Sequence, residues 1–328
     1  MIRRYLAAVF VLFLIFVNAI PSTGFIIKDP YNQVSFGNTL YVGGSGSNNY
    51  TKIQYAIDNA SHGDIVFVYS GFYTDFYPEY FASVFIDKKI KLLGEDKNTT
   101  IIDGGNNRHV VRIYADDIII SGFTIQNSGN HGAGIDSSVS NDSINFKIYR
   151  NIIKNNHDGF LQSGTDYGEV YDNIITDNYN GICITGWEVS IYGNIIENNI
   201  KGILVLGGNS VNILDNHFEN NEVGVALSDS KITISENNFI DNGKHVDFGK
   251  TFWIWHFLLL FSINYRSTFR NNYWDDWKLS IPRPILGQWA YLSIILAMHG
   301  SSGMIGPFPS VQFDLSPVII PYDIEVTQ

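Results

Sequence analysis

A six-residue phrase returns every 21 or 22 positions, with apolar, Asn and Gly columns at fixed places around it. These observations predict an all-β chain wound as a single-stranded, right-handed parallel β-helix with three short strands per coil. The phrase reads Asn-Ile-Ile-Lys-Asn-Asn from Asn151, Asn-Ile-Ile-Thr-Asp-Asn from Asn173 and Asn-Ile-Ile-Glu-Asn-Asn from Asn194. It continues as Asn-His-Phe-Glu-Asn-Asn from Asn216 and Asn-Asn-Phe-Ile-Asp-Asn from Asn237. A unit this short cannot bury its own apolar face, so consecutive copies must stack.

With the first Asn of each phrase as position zero, Ile148, Val170, Ile191, Ile213 and Ile234 stand three residues before it. Ile153, Ile175, Ile196, Phe218 and Phe239 stand two after it. Stacked one strand spacing apart, these columns form apolar piles, because β-branched and aromatic side chains suit a buried pleated surface. Five after it come Asn156, Asn178, Asn199, Asn221 and Asn242, joined by Asn127 if Gly122 opens an earlier coil. An Asn ladder is expected there, at a corner whose left-handed backbone Asn tolerates. Gly159, Gly181, Gly202 and Gly224, eight after it, are read as a second corner with positive φ. Asn and Gly at this frequency exclude a helical repeat.

Taken in chain order, Arg3 and Arg4 precede an apolar run from Tyr5 to Val17, and Val17-Asn18-Ala19 resembles a cleavage site. Residues 1–19 are therefore read as a secretory signal, or as an uncleaved anchor. The solenoid is placed at 38–277, about ten coils. Thr51-Lys52-Ile53-Gln54 fits a capping box, and Ile53, Ala56, Ile57 and Ala60 form one apolar helical face. That short helix is expected to cover the N-terminal end. Asp64–Val68, Ile90–Gly94 and Ile118–Ile120 read as strands, and Asn271-Asn272-Tyr273-Trp274 as a last coil. An apolar insertion at about 252–263 carries Trp253, Trp255 and Phe257, expected to cover the core's end or to touch a membrane or partner. Residues 278–328 read as a capping tail, with the stretch around Pro307, Pro309, Pro317 and Pro321 laid along the rod.

A formal net charge of −11 argues against a nucleic-acid ligand, since no basic field gathers phosphates. Cys183 is the single cysteine, so no intrachain disulfide forms, and its place in a strand marks it as an inert apolar residue. Sequons at Asn49, Asn59, Asn98 and Asn141 agree with export, although an Asn-rich chain makes such triplets by chance.

The runs Ile53–Ala60, Gly63–Val68 and Ile86–Asp96, then Ile102-Asp103-Gly104, the repeats and the closing Asn272-Tyr273-Trp274-Asp275-Asp276-Trp277, resemble NosD-type β-helix proteins, in particular exported archaeal ones. The resemblance covers roughly residues 40 to 277. It implies the fold and a superfamily of carbohydrate-binding proteins and sugar hydrolases, with a copper-site accessory branch; fold kinship does not transfer a reaction. For copper one expects clusters of Met, Cys and His, whereas Met1, Met298, Met304 and Cys183 are unpaired in sequence and the eight histidines are scattered.

The long coil from Gly122 to Asn151 and the one after it hold the candidate chemistry. Asp136 and Asp158, with His157, are the catalytic candidates, since a glycosidase needs two carboxylates across the scissile bond. His131, Asp166, Tyr167, Tyr179 and Trp187 are candidates for binding a sugar, and Tyr192 is grouped with the last two as a ring platform. The plain alternative is a set of solvated turn residues and packing aromatics. Glu197 with Glu219, and Asp215 with Glu236, occupy equivalent places in adjacent coils, where Ca2+ would relieve like-charge stacking. A lyase would also need a cationic base, for which Lys201 is nearest. The function expected from these features is an exported glycan-binding or structural module, with a polysaccharide hydrolase or lyase as the alternative.

Overall fold

The computed structural model describes residues 37–138, 145–164, 167–228, 231–253, 267–279, 281–296, 301–305, 308–314 and 316–324. The chain divides into Met1–Ser35, which lies outside the described residues together with the expected leader, and Phe36–Gln328, a right-handed parallel β-helix. Asn141, Asp166, Trp255 and Phe257 also fall outside the described residues. Nine coils, one fewer than expected, give a rod of about 43 Å at ~4.8 Å per coil.

Each coil contributes one strand to each of three faces. The first face includes Ile65–Val68, Lys91–Gly94, Ile118–Ser121, Asn145–Tyr149, Tyr167–Tyr171 and Val189–Tyr192. The second includes Thr124–Gln126, Ile152–Lys154, Ile174–Thr176, Ile195–Glu197, His217–Glu219, Asn238–Ile240 and Tyr273–Trp274. The third runs through Ala82–Ile86, His109–Ile113, Ala133–Asp136, Asp158–Gln162, Asn180–Ile184, Lys201–Leu206 and Val223–Ser228 to Lys244–Trp253. Pairing is parallel and in register, for example Ile153 opposite Ile175 and Ile175 opposite Ile196. The two apolar columns are buried throughout, and each fully buried Ile or Phe contributes roughly 1.5–3 kcal/mol. Phe218, Phe239 and Trp274 end the second column as a pile of stacked rings with centroids 4.8 and 4.4 Å apart.

The corners are built differently from the expectation. Left-handed φ falls one residue before each expected position, at Asn155, Asp177, Asn198, Asn220 and Asp241, and again at Arg150, Asp172, Gly193, Asp215 and Glu236. Asn127, with φ 59°, belongs to the first of these sets; its amide donates to Asp103, and the ladder place is taken by Ser128, whose N–H donates to Asn156 Oδ1. The residues following the left-handed ones turn their amides into the core. Two ladders result. One is the expected set Asn156, Asn178, Asn199, Asn221 and Asn242; the other is position zero itself, Asn151, Asn173, Asn194, Asn216, Asn237 and Asn272. At each inner rung the backbone N–H and side-chain Nδ2 donate to Oδ1 of the next coil, while Nδ2 also reaches two carbonyls, or one at Asn221. The last coil therefore starts at Asn272, with Asn271 as its left-handed predecessor.

The Gly column does not need positive φ. At Gly181 an added Cβ would lie 2.5 Å from the carbonyl oxygen of Gly202 and 3.1 Å from Ile175 Cγ2. Close stacking of neighbouring coils, rather than a turn, demands glycine there.

Both ends of the rod are closed. Ile53–Asn59 is helical as expected and packs on the first strands, but Lys52 is its N-cap, with no side-chain cap hydrogen bond. Gln54 instead clasps the backbone of Phe85, accepting its N–H at 2.8 Å and donating to its carbonyl at 3.1 Å. It thereby pairs an edge strand that would otherwise be open. At the other end Arg283–Leu296 pairs antiparallel with Ser301–Ile305 and Phe308–Asp314, so much of the tail is a hairpin stack. Beyond it Tyr322 exchanges two hydrogen bonds with Asn238, so that part of the tail does lie along the second face. Among the described residues no helix is long and apolar enough to cross a membrane.

Candidate functional site

The outer surface of the third face collects most of the candidates named from sequence. Asp136 and Asp158 are on strands of adjacent coils, with Ala133 opposite Asp158 and Asp136 opposite Leu161, so the two carboxylates are three positions apart along the strand. The added length of this coil falls between Asp136 and Asn145, at the corner leading to the first face.

Asp136 is fully buried, which removes it as an open catalytic carboxylate. Its Oδ2 lies 3.3 Å from Arg112 Nε, and its Oδ1 accepts the N–H of Ser138 at 3.0 Å. Arg112 donates in turn to the carbonyl of Tyr80, whose ring stacks on Phe85 at 4.5 Å. His109 Nδ1 is 3.5 Å from the same carboxylate oxygen but accepts the N–H of Ala133 at 3.2 Å. Burial holds the His109 imidazole below its ordinary value despite the opposing pull of Asp136. The imidazole is thus neutral at pH 7, and Arg112 is the partner that balances Asp136.

Asp158 is nearly buried. Its Oδ1 accepts from Asn180 Nδ2 at 2.7 Å, and Oδ2 lies 3.3 Å from His157 Nδ1. The His157 ring stacks on Tyr179 at 5.0 Å and meets His131 at 5.2 Å, and Lys201 Nζ sits 6.0 Å from the Tyr179 centroid. One edge of the strip is therefore a row of rings running along the rod. At the opposite corner stand Trp187 and Tyr167, and these two and Tyr179 are each about half exposed. The floor between is formed by Leu161, Cys183 and Leu204 in register. Burial pushes the Cys183 thiol up to about 12, with Asp158 adding to the effect, so it remains a protonated packing group.

Tyr192 does not join this platform. It stacks on Tyr171, and Tyr171 on Tyr149, each at 4.9 Å, in a separate ladder on the first face. Asn180, Arg112 and His109 were not singled out from sequence, because a single Asn at the start of a strand and two scattered basic residues carry no spacing signal.

The acidic pairs proposed for Ca2+ are neighbours in adjacent coils: Glu197 is directly opposite Glu219 on the second face, and Asp215 and Glu236 follow the paired Leu214 and Ser235. Asp215 and Glu236 both occupy left-handed corner positions. Among the described residues neither pair gathers a third ligand, and the one group of three is His245, Asp275 and Asp276. Burial, then Glu219 and Asp177, raise the Glu197 carboxyl above its ordinary range, while His217 opposes them. Burial, then Glu236, do the same to Asp215. A carboxyl raised in the folded state loses stability as pH climbs from its ordinary range through the raised value. Glu197→Gln is therefore expected to raise Tm at pH 7 and to leave it unchanged in acid, where wild type is protonated too. Thermal melts at pH 7 and pH 3.5 check this, and a lower Tm at pH 7 would contradict it.

The fold and this strip define a right-handed β-helix protein with a polar, ring-edged lateral surface. The family described as right handed beta helix region matches residues 138–276. No curated protein matches the chain by sequence. Among solved structures, carrot pectin methylesterase is similar at 13% identity and a TM-score of 0.45, over 65% of this chain and 82% of that one. The Azotobacter vinelandii mannuronan C-5 epimerase AlgE6 A-module is similar at 16% identity and a TM-score of 0.39, over 67% and 80%. The PL6 family alginate lyase AlyGC gives 14% identity and a TM-score of 0.41, over 72% of this chain and 38% of that one. These likenesses concern the winding of the chain, not its chemistry.

Proposed function

We propose that the protein is an exported, surface-associated β-helix that binds a glycan along its third face without cleaving it. The observation that carries this reading is the pair of ring edges, His131–His157–Tyr179 and Trp187 with Tyr167, flanking the floor of Leu161, Cys183 and Leu204. Sugar rings present apolar faces that lie against aromatic rings and hydroxyls that Lys201, beside Tyr179, can meet. Binding is favoured over hydrolysis because Asp136 is buried against Arg112 and Asp158 is buried against Asn180, which leaves no open pair of carboxylates among the described candidates. Export rests on the charged and apolar leader; the sequon residues Asn59 and Asn98 are exposed, as glycan attachment would require.

The test is a glycan array followed by titration of the best ligand. Tyr179→Ala and Trp187→Ala should each weaken binding about tenfold, roughly 1.4 kcal/mol, while Tyr192→Ala leaves it unchanged. Absence of binding across the array would overturn the reading. Release of reducing ends or unsaturated products, lost in Asp158→Asn, would replace it with the hydrolase or lyase.

A further inference from the structure

The glycine column ends in a histidine. Gly159, Gly181, Gly202 and Gly224 are each hemmed in by the coil that follows, whereas the next coil carries His245. Its ring packs against Phe239 and Trp274, with centroids 5.9 Å away in both cases, and is almost fully buried. Trp274 fills the last place of the Phe column and is followed immediately by Asp275 and Asp276. The histidine and both aspartates are thus brought together by the closing coil, two coils beyond Lys201 at the edge of the proposed glycan site.

His245 Nε2 stands 2.8 Å from Asp275 Oδ1 and 3.4 Å from Asp276 Oδ1, and ligand atoms from all three residues lie within 4.8 Å of one another. The geometry points to a binding site for a divalent first-row metal ion such as Zn2+, held by His245 Nε2, Asp275 Oδ1 and Asp276 Oδ1 and completed by water.

Three features support it. Tetrahedral zinc bonds to N and O of about 2.0–2.2 Å set ligand atoms roughly 3.3–3.6 Å apart; the His245–Asp276 separation of 3.4 Å meets this, and the His245–Asp275 separation of 2.8 Å must open when the ion enters. Both carboxylates are held by neighbours: the Asp241 N–H donates to Asp275 Oδ2 at 2.6 Å, and Arg283 Nη2 donates to both Asp276 oxygens, Oδ2 at 2.7 Å and Oδ1 at 2.9 Å, so that Oδ1 is shared between Arg283 and the ion. Arg283 is itself fixed over the Trp274 ring at 4.2 Å. Such outer hydrogen bonds are what hold metal ligands in place. Lastly, among the described residues Asp275 and Asp276 pair with one permanent cation, Arg283, so a divalent ion enters a site with net negative charge. An imidazole in the donor set favours zinc over calcium, while the two carboxylates also suit manganese.

Asn242 Nδ2 approaches His245 Nδ1 at 3.4 Å, but its amide hydrogens are engaged by the carbonyls of Phe218 and Ile240. That contact therefore fixes no tautomer. Without the ion, a proton on Nε2 bridges to Asp275. Binding moves that proton to Nδ1, so that the neutral imidazole offers its Nε2 lone pair to the ion with no net loss of a proton.

Titration of the full chain with Zn2+ and with Mn2+ tests the site, by calorimetry and by Tm. One equivalent should bind and raise Tm, and Asp275→Asn, which keeps an oxygen for the Asp241 N–H, should weaken binding at least ~100-fold. Glu219→Gln, at an acidic pair elsewhere, should bind as wild type does. Circular dichroism shows whether Asp275→Asn is folded; if it is not, Asp276→Asn must show the loss. No binding by wild type, or binding that survives both substitutions, overturns the proposal.

Discussion

Asn194→Leu is expected to cost about 4 kcal/mol, although leucine is more apolar and nearly the same size, because what it removes is hydrogen bonding. Asn194 is fully buried at the middle of the position-zero ladder. Its Nδ2 donates to the carbonyls of Val170 and Tyr192 and to Asn216 Oδ1, and its Oδ1 accepts both the N–H and Nδ2 of Asn173. Leucine leaves the Asn173 N–H with no acceptor in a place water does not reach. One stranded buried donor costs about 1–3 kcal/mol, and each further bond lost adds about 1. The neighbouring Asn198 gives the contrast. It has φ 56° and an exposed side chain, so Asn198→Gly keeps the backbone and should fall within about 0.5 kcal/mol of wild type. Urea denaturation of both variants checks the pair. A loss of less than about 1 kcal/mol for Asn194→Leu would mean that the ladder is not what ties successive coils together.

The same two residues show how far the sequence could be read. Periodicity revealed that Asn, Ile and Gly recur in register, and stacking followed from that alone. It did not say which Asn of a corner bends the backbone and which turns inward. Either role suits Asn, and at 177 and 241 the bending residue is Asp. The inward role cannot be taken by Asp in mid-ladder, because each rung must both donate and accept. That requirement explains why position zero stays Asn from Asn151 to Asn272 while the bending position varies. Gly181 was misread for a related reason: glycine is demanded both by positive φ and by close approach, and composition does not separate the two. On the third face, Tyr179, Trp187 and His157 were legible because corner positions in a known solenoid are exposed. The burial of Asp136 was not, since it depends on Arg112 one coil earlier, and no repeat column links the pair by residue type.

Asp314→Ala is expected to release the C-terminal end of the rod and leave the middle intact. The ladder rule explains why an aspartate stands there. Every rung donates toward the C-terminal coil, so the last rung needs an acceptor that need not donate onward. Asp314 is that group: fully buried, its Oδ2 accepts the Asn272 N–H at 3.1 Å, Asn272 Nδ2 at 2.9 Å and Trp274 Nε1 at 3.0 Å. Its Oδ1 accepts the Ser316 N–H at 3.1 Å. An anion at the hydrogen-bearing end of an aligned amide chain also polarises the bonds below it favourably. Alanine removes four acceptor contacts and should cost the end coil roughly 3–5 kcal/mol. Coils of a solenoid contact only their neighbours, so the loss should stay local. Hydrogen exchange would show Thr268–Trp274 and Phe308–Asp314 losing protection while Tyr167–Tyr171 and Ile195–Glu197 keep theirs. Asp314→Asn, which retains one acceptor oxygen without the charge, should fall between alanine and wild type. Uniform loss along the rod would instead make the nine coils a single cooperative unit, with Asp314 as its keystone rather than the stop of one ladder.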